Sequence, residues 1–528
     1  MESALAQPAA TTDAGCGFFS RTPESIFTPE DFKGDEALMI QAANDFSRKE
    51  VFPVAEALDH QDDDLMPKLI RKAGELGFCG IDSPEQYGGL GLGKNLAARI
   101  LEFLSLNASF SVTIGVTSGI AQVGLSWFGT DEQKAKYLPK LASGEWMGAY
   151  ALSEPNSGSD ALSASTRADR RGDKYILNGT KMWISNAKWA EFFLVMAKVD
   201  GERFSAFLVE RGFPGLEISR EEHKMGLKGS STARVLLENC EVPAENLLYE
   251  EGKGHHVALN ALNLGRFKLS SMSIGPLRSS IELAARYTQE RKQFGEQISH
   301  FGLIRKKLAL MAMLHWTSES MIYRTGALID TAFENWGGTV EGNKRAAEEY
   351  AVECSMCKVF STEAEALGID EALQCYGGYG FTEEFPIARN YRDARVSRIY
   401  EGTNEINRVF IGTRLMRRIR EGRAEGKAVS DSFVAELAAR AVAANPQEQV
   451  AQGALSDLLM YQYAEQSARL RARQGGLHEA LYGRFLDWVN PRAAEAFQAV
   501  VKEPVDLPAP SGVGVDEIAE AVLGRKLP

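Results

Sequence analysis

The hydrophobic period of this 528-residue chain changes twice, and that double change restricts the fold more than any other feature. From residue 35 to about 144, apolar residues recur at helical spacing, as in Leu65, Leu69, Ala73 and Leu76, and in Phe103, Leu106 and Phe110. Over 147–254 the pattern shortens to alternating runs. Turn pairs punctuate them, with Asn178-Gly179 ahead of KMWIS and Asp200-Gly201 between FFLVMAKV and ERFSAFLVE, and these predict two hairpins. After Gly254 the helical period returns in long segments, about 255–292, 300–331, 342–376 and 404–420. Lengths of this kind suit a four-helix bundle.

The order predicts an α+β fold that is mainly α. A polar arm (1–35) precedes an N-terminal helical domain (36–146), a middle antiparallel β-domain (147–254), a helical bundle domain (255–420) and an appended Ala-rich helical domain (421–528). Thr130 followed by Asp131 and Glu132 predicts a helix start, and Gly144 its stop. No βαβ alternation occurs, so a Rossmann sheet is not expected. The GGLGLG run at 88–93 has the wrong spacing for a dinucleotide fingerprint and reads as a loop; no GxxxxGK[ST] segment is present. A bound dinucleotide must be held by another device.

The balance of 59 basic against 71 acidic residues gives −12, which opposes binding to polyanions, so no nucleic-acid partner is expected. Six cysteines are sparse for this length; Cys354 and Cys357 lie in an apolar helical run without further ligands nearby and read as buried thiols, so no metal site is predicted. A reducing compartment fits them. The N-terminal residues show neither a signal-peptide nor a transit-peptide pattern, so cytoplasm is the expectation. No stretch reads as approaching the ~20 apolar residues of a membrane span. Arg469, Arg471 and Arg473 alternate too tightly for one helical face and read as a solvated surface, which gives peripheral membrane contact no support.

Four segments carry chemical possibilities. YALSEPNSGSD (150–160) combines small hydroxyl residues with a turn, able to wrap a planar polar ring or to form an ordinary β-turn. Trp183 in KMWISN offers a flat apolar face, for a ligand or for the core. Arg291 in ERKQFG, whose Gly295 reads as a helix stop, presents a fork matched to phosphate or a solvated charge. Glu401 in RIYEGTNEINR could favour a helix start through the dipole, or serve as a buried base.

Together, in this order, the four segments resemble the signature segments of the acyl-CoA dehydrogenases, and the resemblance covers roughly 40–420. It implies FAD as cofactor, with Tyr150, Leu152, Ser153, Gly158, Ser159, Trp183 and Ser185 lining the flavin and Ser159 also touching substrate. Thr403 and Glu405 complete that site by the same resemblance. Arg291, Phe294, Gln374, Gly377 and Gly378 are implied to reach the flavin of a neighbouring subunit, hence a homodimer or homotetramer. The family's frequent His-Gln pair after ERKQFG is replaced here by Phe301-Gly302.

Desaturating a thioester between its α and β carbons needs a base for the α-proton and an acceptor for the β-hydrogen. The resemblance makes Glu401 the base and its backbone amide an oxyanion partner. Gly402 leaves space for substrate, and Asn263 and Arg266 face the thioester and CoA. Isovaleryl- and some long-chain-type members place the base immediately before the Arg matching Arg266; here that position is Gly265, leaving Glu401. VERGF (209–213), KMGLKGSST (224–232), FGLIRKKLA (301–309) and the long extension are similar to the very-long-chain subgroup. The implied reaction is α,β-desaturation of long-chain fatty acyl-CoA to trans-2-enoyl-CoA in β-oxidation, with electrons passing to an electron-transferring flavoprotein. A family scaffold serving assembly, which would lose the base, and an acyl-CoA oxidase, which would use oxygen, are the alternatives.

Overall fold

The computed structural model describes residues 15–60, 64–426 and 428–527; most of the arm's first half lies outside them. Seven helices open the fold: α1 Asp35–Phe46, α2 Ala55–Asp59, α3 Leu65–Glu75, α4 Lys94–Leu104, α5 Ala108–Gly115, α6 Ala121–Phe128 and α7 Asp131–Ala142. In α3 the buried residues Met66, Leu69, Ile70 and Ala73 form one stripe, as the 3.6-residue period requires. A reciprocal cap starts α7: the Gln133 amide N–H donates to Thr130 Oγ1 (3.2 Å), and the Thr130 N–H donates to Gln133 Oε1 (3.1 Å).

One expectation fails in this region. The helical run Ala108–Phe128 is long and apolar enough, by length and composition, to cross a membrane. Most of it is buried inside the protein, where several of its polar groups find protein partners. Asn186 Nδ2 donates to the Thr113 carbonyl (3.0 Å) and Thr117 Oγ1 (3.2 Å), and Ser83 Oγ donates to Gln122 Oε1 (2.6 Å). The run is a core helix that carries the sheet.

That sheet contains β1 Gly148–Ala151, β2 Arg167–Arg171, β3 Lys174–Ser185, β4 Phe192–Val199, β5 Arg203–Glu210, β6 Leu216–Glu221, β7 Thr232–Pro243 and β8 Leu247–Leu248. The strand order is β6-β7-β3-β2-β4-β5-β8, with β1 also pairing β4. Most pairs are antiparallel, but β1 and β2 both run parallel to β4, so the sheet is mixed rather than antiparallel. Turn signals specify only pairings between sequence neighbours, whereas β1 and β2 meet β4 across intervening chain. Asp200-Gly201 does turn the β4–β5 hairpin. Asn178-Gly179 does not turn; it lies inside the twelve-residue β3 opposite a bulge in β7, and the β2–β3 turn lies at Gly172-Asp173.

The second helical region contains α8 Gly254–Glu290, α9 Gly302–Trp336, α10 Val340–Glu349, α11 Ala351–Tyr376, α12 Pro386–Ala394 and α13 Asn404–Arg420. Helices α8, α9, α11 and α13 pack as the bundle, and the predicted 342–376 segment is split at Tyr350. Gly295 is not a helix stop. The chain leaves α8 at Arg291 and makes a two-residue hairpin between Gln293 and Glu296, with Phe294 (φ 53°) and Gly295 (φ 86°) both left-handed.

The extension folds as α14 Phe433–Ala444, α15 Gln449–Ala472, α16 Leu477–Val501 and α17 Asp516–Leu523, against α9 and α13. The described part of the arm is docked on it: Phe18 meets Tyr463 edge-on at 5.2 Å, and Gln466 Nε2 donates to the Arg21 carbonyl (3.1 Å). The three extension arginines are not a solvated surface. Arg471 is fully buried and donates to the Trp316 carbonyl (3.0 Å), Glu319 and Glu30; Arg469 pairs with Asp431 and Glu465; only Arg473, donating to the Glu24 carbonyl, is exposed. The arm, unreadable as a period, supplies the partners that allow Arg471 to enter the core.

Candidate active site

Glu401 lies at the middle of the short link between the 3₁₀ turn Arg395–Arg398 and α13. Its φ is 58° and that of Gly402 is 79°, two consecutive left-handed residues. For Glu this conformation costs about 1–3 kcal/mol and persists only where neighbours fix it. The neighbours do so through the loop's carbonyls. Arg266 Nε donates to the Glu401 carbonyl (3.2 Å), while Asn407 Nδ2 donates to those of Gly402 (2.8 Å) and Thr403 (3.0 Å). Lys358 Nζ donates to the Gly402 carbonyl (2.9 Å) and to Asn404 Oδ1 (2.7 Å). Thr403 Oγ1 then caps α13 by accepting from the Ile406 N–H (3.3 Å).

The loop directs the carboxylate inward. Glu401 is half-buried as a residue, yet Oε2 is fully enclosed and has no hydrogen-bond partner. A Cβ placed on Gly265 would lie 2.8 Å from that oxygen, so a side chain at 265 and the carboxylate of 401 compete for one volume. Burial pushes the Glu401 carboxyl from its ordinary 4.5 up to about 7, against the opposing pull of Arg266 and Lys358. Arg266 is itself buried, with Nη1 donating to Asn263 Oδ1 (3.2 Å). The ring of Tyr150 belongs to the same enclosure: its hydroxyl donates weakly to the Ala258 carbonyl of α8 (3.5 Å), and burial, then the nearby Glu401 charge, drive its pKa upward.

The segment after Tyr150 lies along β3. Lys181 Nζ donates to the Leu152 carbonyl (3.1 Å) and Glu154 Oε1 (2.6 Å), and the Met182 N–H donates to the Ser153 carbonyl (2.8 Å). Gly158 and Ser159 are exposed beyond the Glu154–Ser157 bridge, and Ser185 closes β3 opposite Thr232. Between Lys181 and Ile184 the β3–β7 register slips, and Trp183 sits in that bulge at φ 56° with 59% of its surface exposed. A large aromatic held out of the sheet by a left-handed bulge is not a core residue. It presents a ring face beside small polar groups, a cradle that fits a flavin. Glu405, at the start of α13, is exposed.

A second group assembles elsewhere. Arg291, Gln374, Gly377 and Gly378 line a cleft of about 470 Å³ between the ends of α8 and α11. Phe294 stands at the hairpin tip beside it, 95% exposed. At 1.5 Å per residue, Arg266 and Arg291 lie about 37 Å apart along α8, too far for one ring system to meet both groups.

The family model "Acyl-CoA dehydrogenase, N-terminal domain" matches residues 34–145, the middle domain 149–240 and the C-terminal domain 252–416. The chain belongs to the acyl-CoA dehydrogenase family. It is 44% identical over 428 residues to "Probable acyl-CoA dehydrogenase" of Bacillus subtilis (strain 168), covering 79% of this chain and 72% of that one. Against the human very long-chain specific acyl-CoA dehydrogenase, mitochondrial, it is 41% identical over 349 residues, 64% of this chain but only 51% of the relative. An acyl-CoA dehydrogenase from Bacillus anthracis, solved in complex with FAD, superposes with a TM-score of 0.89 at 36% identity, over 98% of this chain and 100% of that one. The architecture shared with that Bacillus anthracis structure therefore includes the extension, and the chain is a flavin-dependent oxidoreductase of this family.

Sequence reasoning missed Lys358, Asn404, Asn407 and the buried Lys181–Glu154 pair. Lys358 had one signal, a lone cation in the apolar run CSMCKVF. The two asparagines had none, because their partners are set by the tertiary turn: Asn407 caps its carbonyls, and Asn404 accepts from Lys358 while donating to Thr362 and Glu363 of α11.

Proposed function

We propose that this chain binds FAD and converts long-chain fatty acyl-CoA to trans-2-enoyl-CoA, passing electrons to an electron-transferring flavoprotein. The observation that carries the reading is the Glu401 carboxylate: enclosed, lacking a hydrogen-bond partner and raised to about 7, it is matched to take a weakly acidic α-proton near neutral pH. As the α C–H bond breaks, its electron pair moves toward the thioester carbonyl, and the proton ends on Glu401. Tyr150 and the walls of α8 exclude water from that carboxylate. FAD, when bound against Trp183 and the 150–159 segment, supplies the acceptor for the β-hydrogen as hydride. Arg266 holds the loop carbonyl and keeps a positive charge beside the developing anion.

Long acyl chains are supported by the very-long-chain relatives and by an extension packed along the bundle. A dimer or tetramer is supported by the second cleft and by the exposed Phe294 at its rim, a strained apolar tip suited to burial against another copy. A cytoplasmic, reducing location is supported by six buried free cysteines.

Anaerobic titration of the purified holoprotein with palmitoyl-CoA tests the reading: the flavin absorbance bleaches, while Glu401→Gln keeps its flavin and stays coloured. A wild type that remains yellow across acyl lengths overturns it. Peroxide formation in air against transfer to an electron-transferring flavoprotein separates oxidase from dehydrogenase.

A further inference from the structure

Lys358, on the face of α11 toward the Glu401 loop, is fully buried. Among the described residues no carboxylate oxygen lies within ion-pair distance of its ammonium, whose acceptors are the Gly402 carbonyl (2.9 Å) and Asn404 Oδ1 (2.7 Å). Burying a cation against neutral oxygens is costly. A neutral donor could make the same two hydrogen bonds, so the hydrogen bonds alone do not account for a charge here.

The charge has a second object. Gly402 and Asn404 flank the cap of α13, and the residue before Gly402 is Glu401, so one ammonium ties the loop on both sides of Thr403 while standing in the enclosure of the carboxylate. The other ionisable groups around this pair are Arg266 from α8, Tyr150 from β1, Tyr400 from the loop, Glu363 and Glu365 from α11, and Glu405 from α13. Arg266 and Lys358 are the two cations acting on Glu401, and they approach it from different helices. Glu363 is engaged by Arg408 (2.7 Å).

We propose that Lys358 is a positioning residue of the base: its ammonium fixes the 401–403 loop, with its two left-handed residues Glu401 and Gly402, and sets the basicity of the Glu401 carboxylate. The proposal rests on the reading of Glu401 as the base. Burial lowers the Lys358 ammonium from 10.5 to about 7, with the Glu401 charge opposing that fall.

The test uses holoprotein in three forms: wild type, Lys358→Gln, which keeps a donor without charge, and Lys358→Arg, which keeps charge. Infrared difference spectra across pH 5–9, with carbon-13 glutamate labelling and Glu401→Gln to assign the band, read the protonation midpoint of Glu401 without turnover. The expected result is a midpoint raised by about one pH unit in Lys358→Gln and restored toward wild type in Lys358→Arg, with flavin content unchanged. At pH 6 and below, kcat of Lys358→Gln falls about tenfold, and at pH 7 about fivefold, while KM for palmitoyl-CoA is little changed, because raising the midpoint by one unit cuts the ionised base tenfold well below it and less near it. A melting temperature that drops while the infrared midpoint stays at the wild-type value overturns the proposal. Should Lys358→Gln not fold, the midpoint in Lys358→Arg decides, since an altered donor geometry with retained charge must leave it near that of wild type. Failure of wild type to bleach would reject Glu401 as the base of this reaction, and the infrared midpoints report the Lys358 effect independently of that outcome.

Discussion

At the scale of single residues, the site is an arrangement of one acid against the space left by one missing side chain. Glu401 needs the volume beside Gly265, where an added Cβ would stand 2.8 Å from Oε2. Gly265→Ala is expected to push the carboxylate off line and lower kcat about 100-fold with flavin retained, a displacement near 1 Å being sufficient for such a loss; stopped-flow bleaching measures it. The pH profile follows from the same residue. Because burial raises the Glu401 carboxyl to about 7, the group is protonated and inactive as a base below that value. The kcat/KM for palmitoyl-CoA should therefore rise through about pH 7 and level off above it, and a limb centred near 4.5 would show that the carboxylate is solvated in the free enzyme.

Elements place those residues by bending where sequence rules favour continuity. Of the side chains that hold the left-handed link before α13, Asn407 serves the carbonyls of both Gly402 and Thr403. Asn407→Ala leaves both oxygens without that donor, and a loss of about 1–3 kcal/mol in stability is expected, with faster amide exchange confined to the start of α13. The α8 hairpin works in the opposite direction, exposing rather than enclosing. Phe294 holds a left-handed φ of 53° and a fully presented ring, a costly combination for an isolated chain. Phe294→Asn removes the strain together with the apolar tip, so the monomer should gain slightly in stability while self-association weakens, as sedimentation velocity across protein concentration would report.

Across the whole molecule, one buried charge network locks the layers together. Arg99 of α4 donates to Glu102 (2.6 Å) and to Glu319 of α9 (2.6 Å), and Arg278 of α8 reaches the same two carboxylates (2.7 and 2.9 Å). Arg471 of α15 joins them to Glu30 of the arm. The three guanidiniums occupy the surroundings of a Glu102–His315–Glu319 cluster whose ligand atoms lie within 4.8 Å of one another. Removing Arg471 takes from Glu30 its cation and from the buried Glu319 one of three, so Arg471→Ala should cost about 3–5 kcal/mol and loosen arm and extension together. Acid should act on the same joint. Burial raises the Glu30 carboxyl, but Arg471 more than offsets that and holds it at about 2. A carboxyl depressed in the folded state adds stability above its unfolded value near 4.5, and that contribution disappears as pH falls toward 2. Thermal melts of wild type and Arg471→Ala should converge over that window.

The sequence by itself determined the two changes of period, hence the helical, sheet and bundle regions, and it singled out the segments that carry the chemistry. Both follow from local rules, because side-chain periodicity and short motifs are written along the chain. The Thr130 cap and the Asp200-Gly201 turn were legible for the same reason. Only the tertiary structure decided that β1 and β2 lie parallel to β4, that Asn178-Gly179 continues a strand opposite a bulge instead of turning, and that Gly295 turns a hairpin instead of ending a helix. It also decided that Arg471 is buried and that Ala108–Phe128 is a core helix. Apart from the Gly295 hairpin, which is local, the deciding partner is remote in sequence: Glu30 for Arg471, Asn186 for Thr113 and Thr117, β4 for β1. The Glu401 site shows both sources at once. The motif named the carboxylate, but its burial, its unpaired oxygen and the cations that tune it come from α8 and α11, elements brought beside the loop only when the core closes.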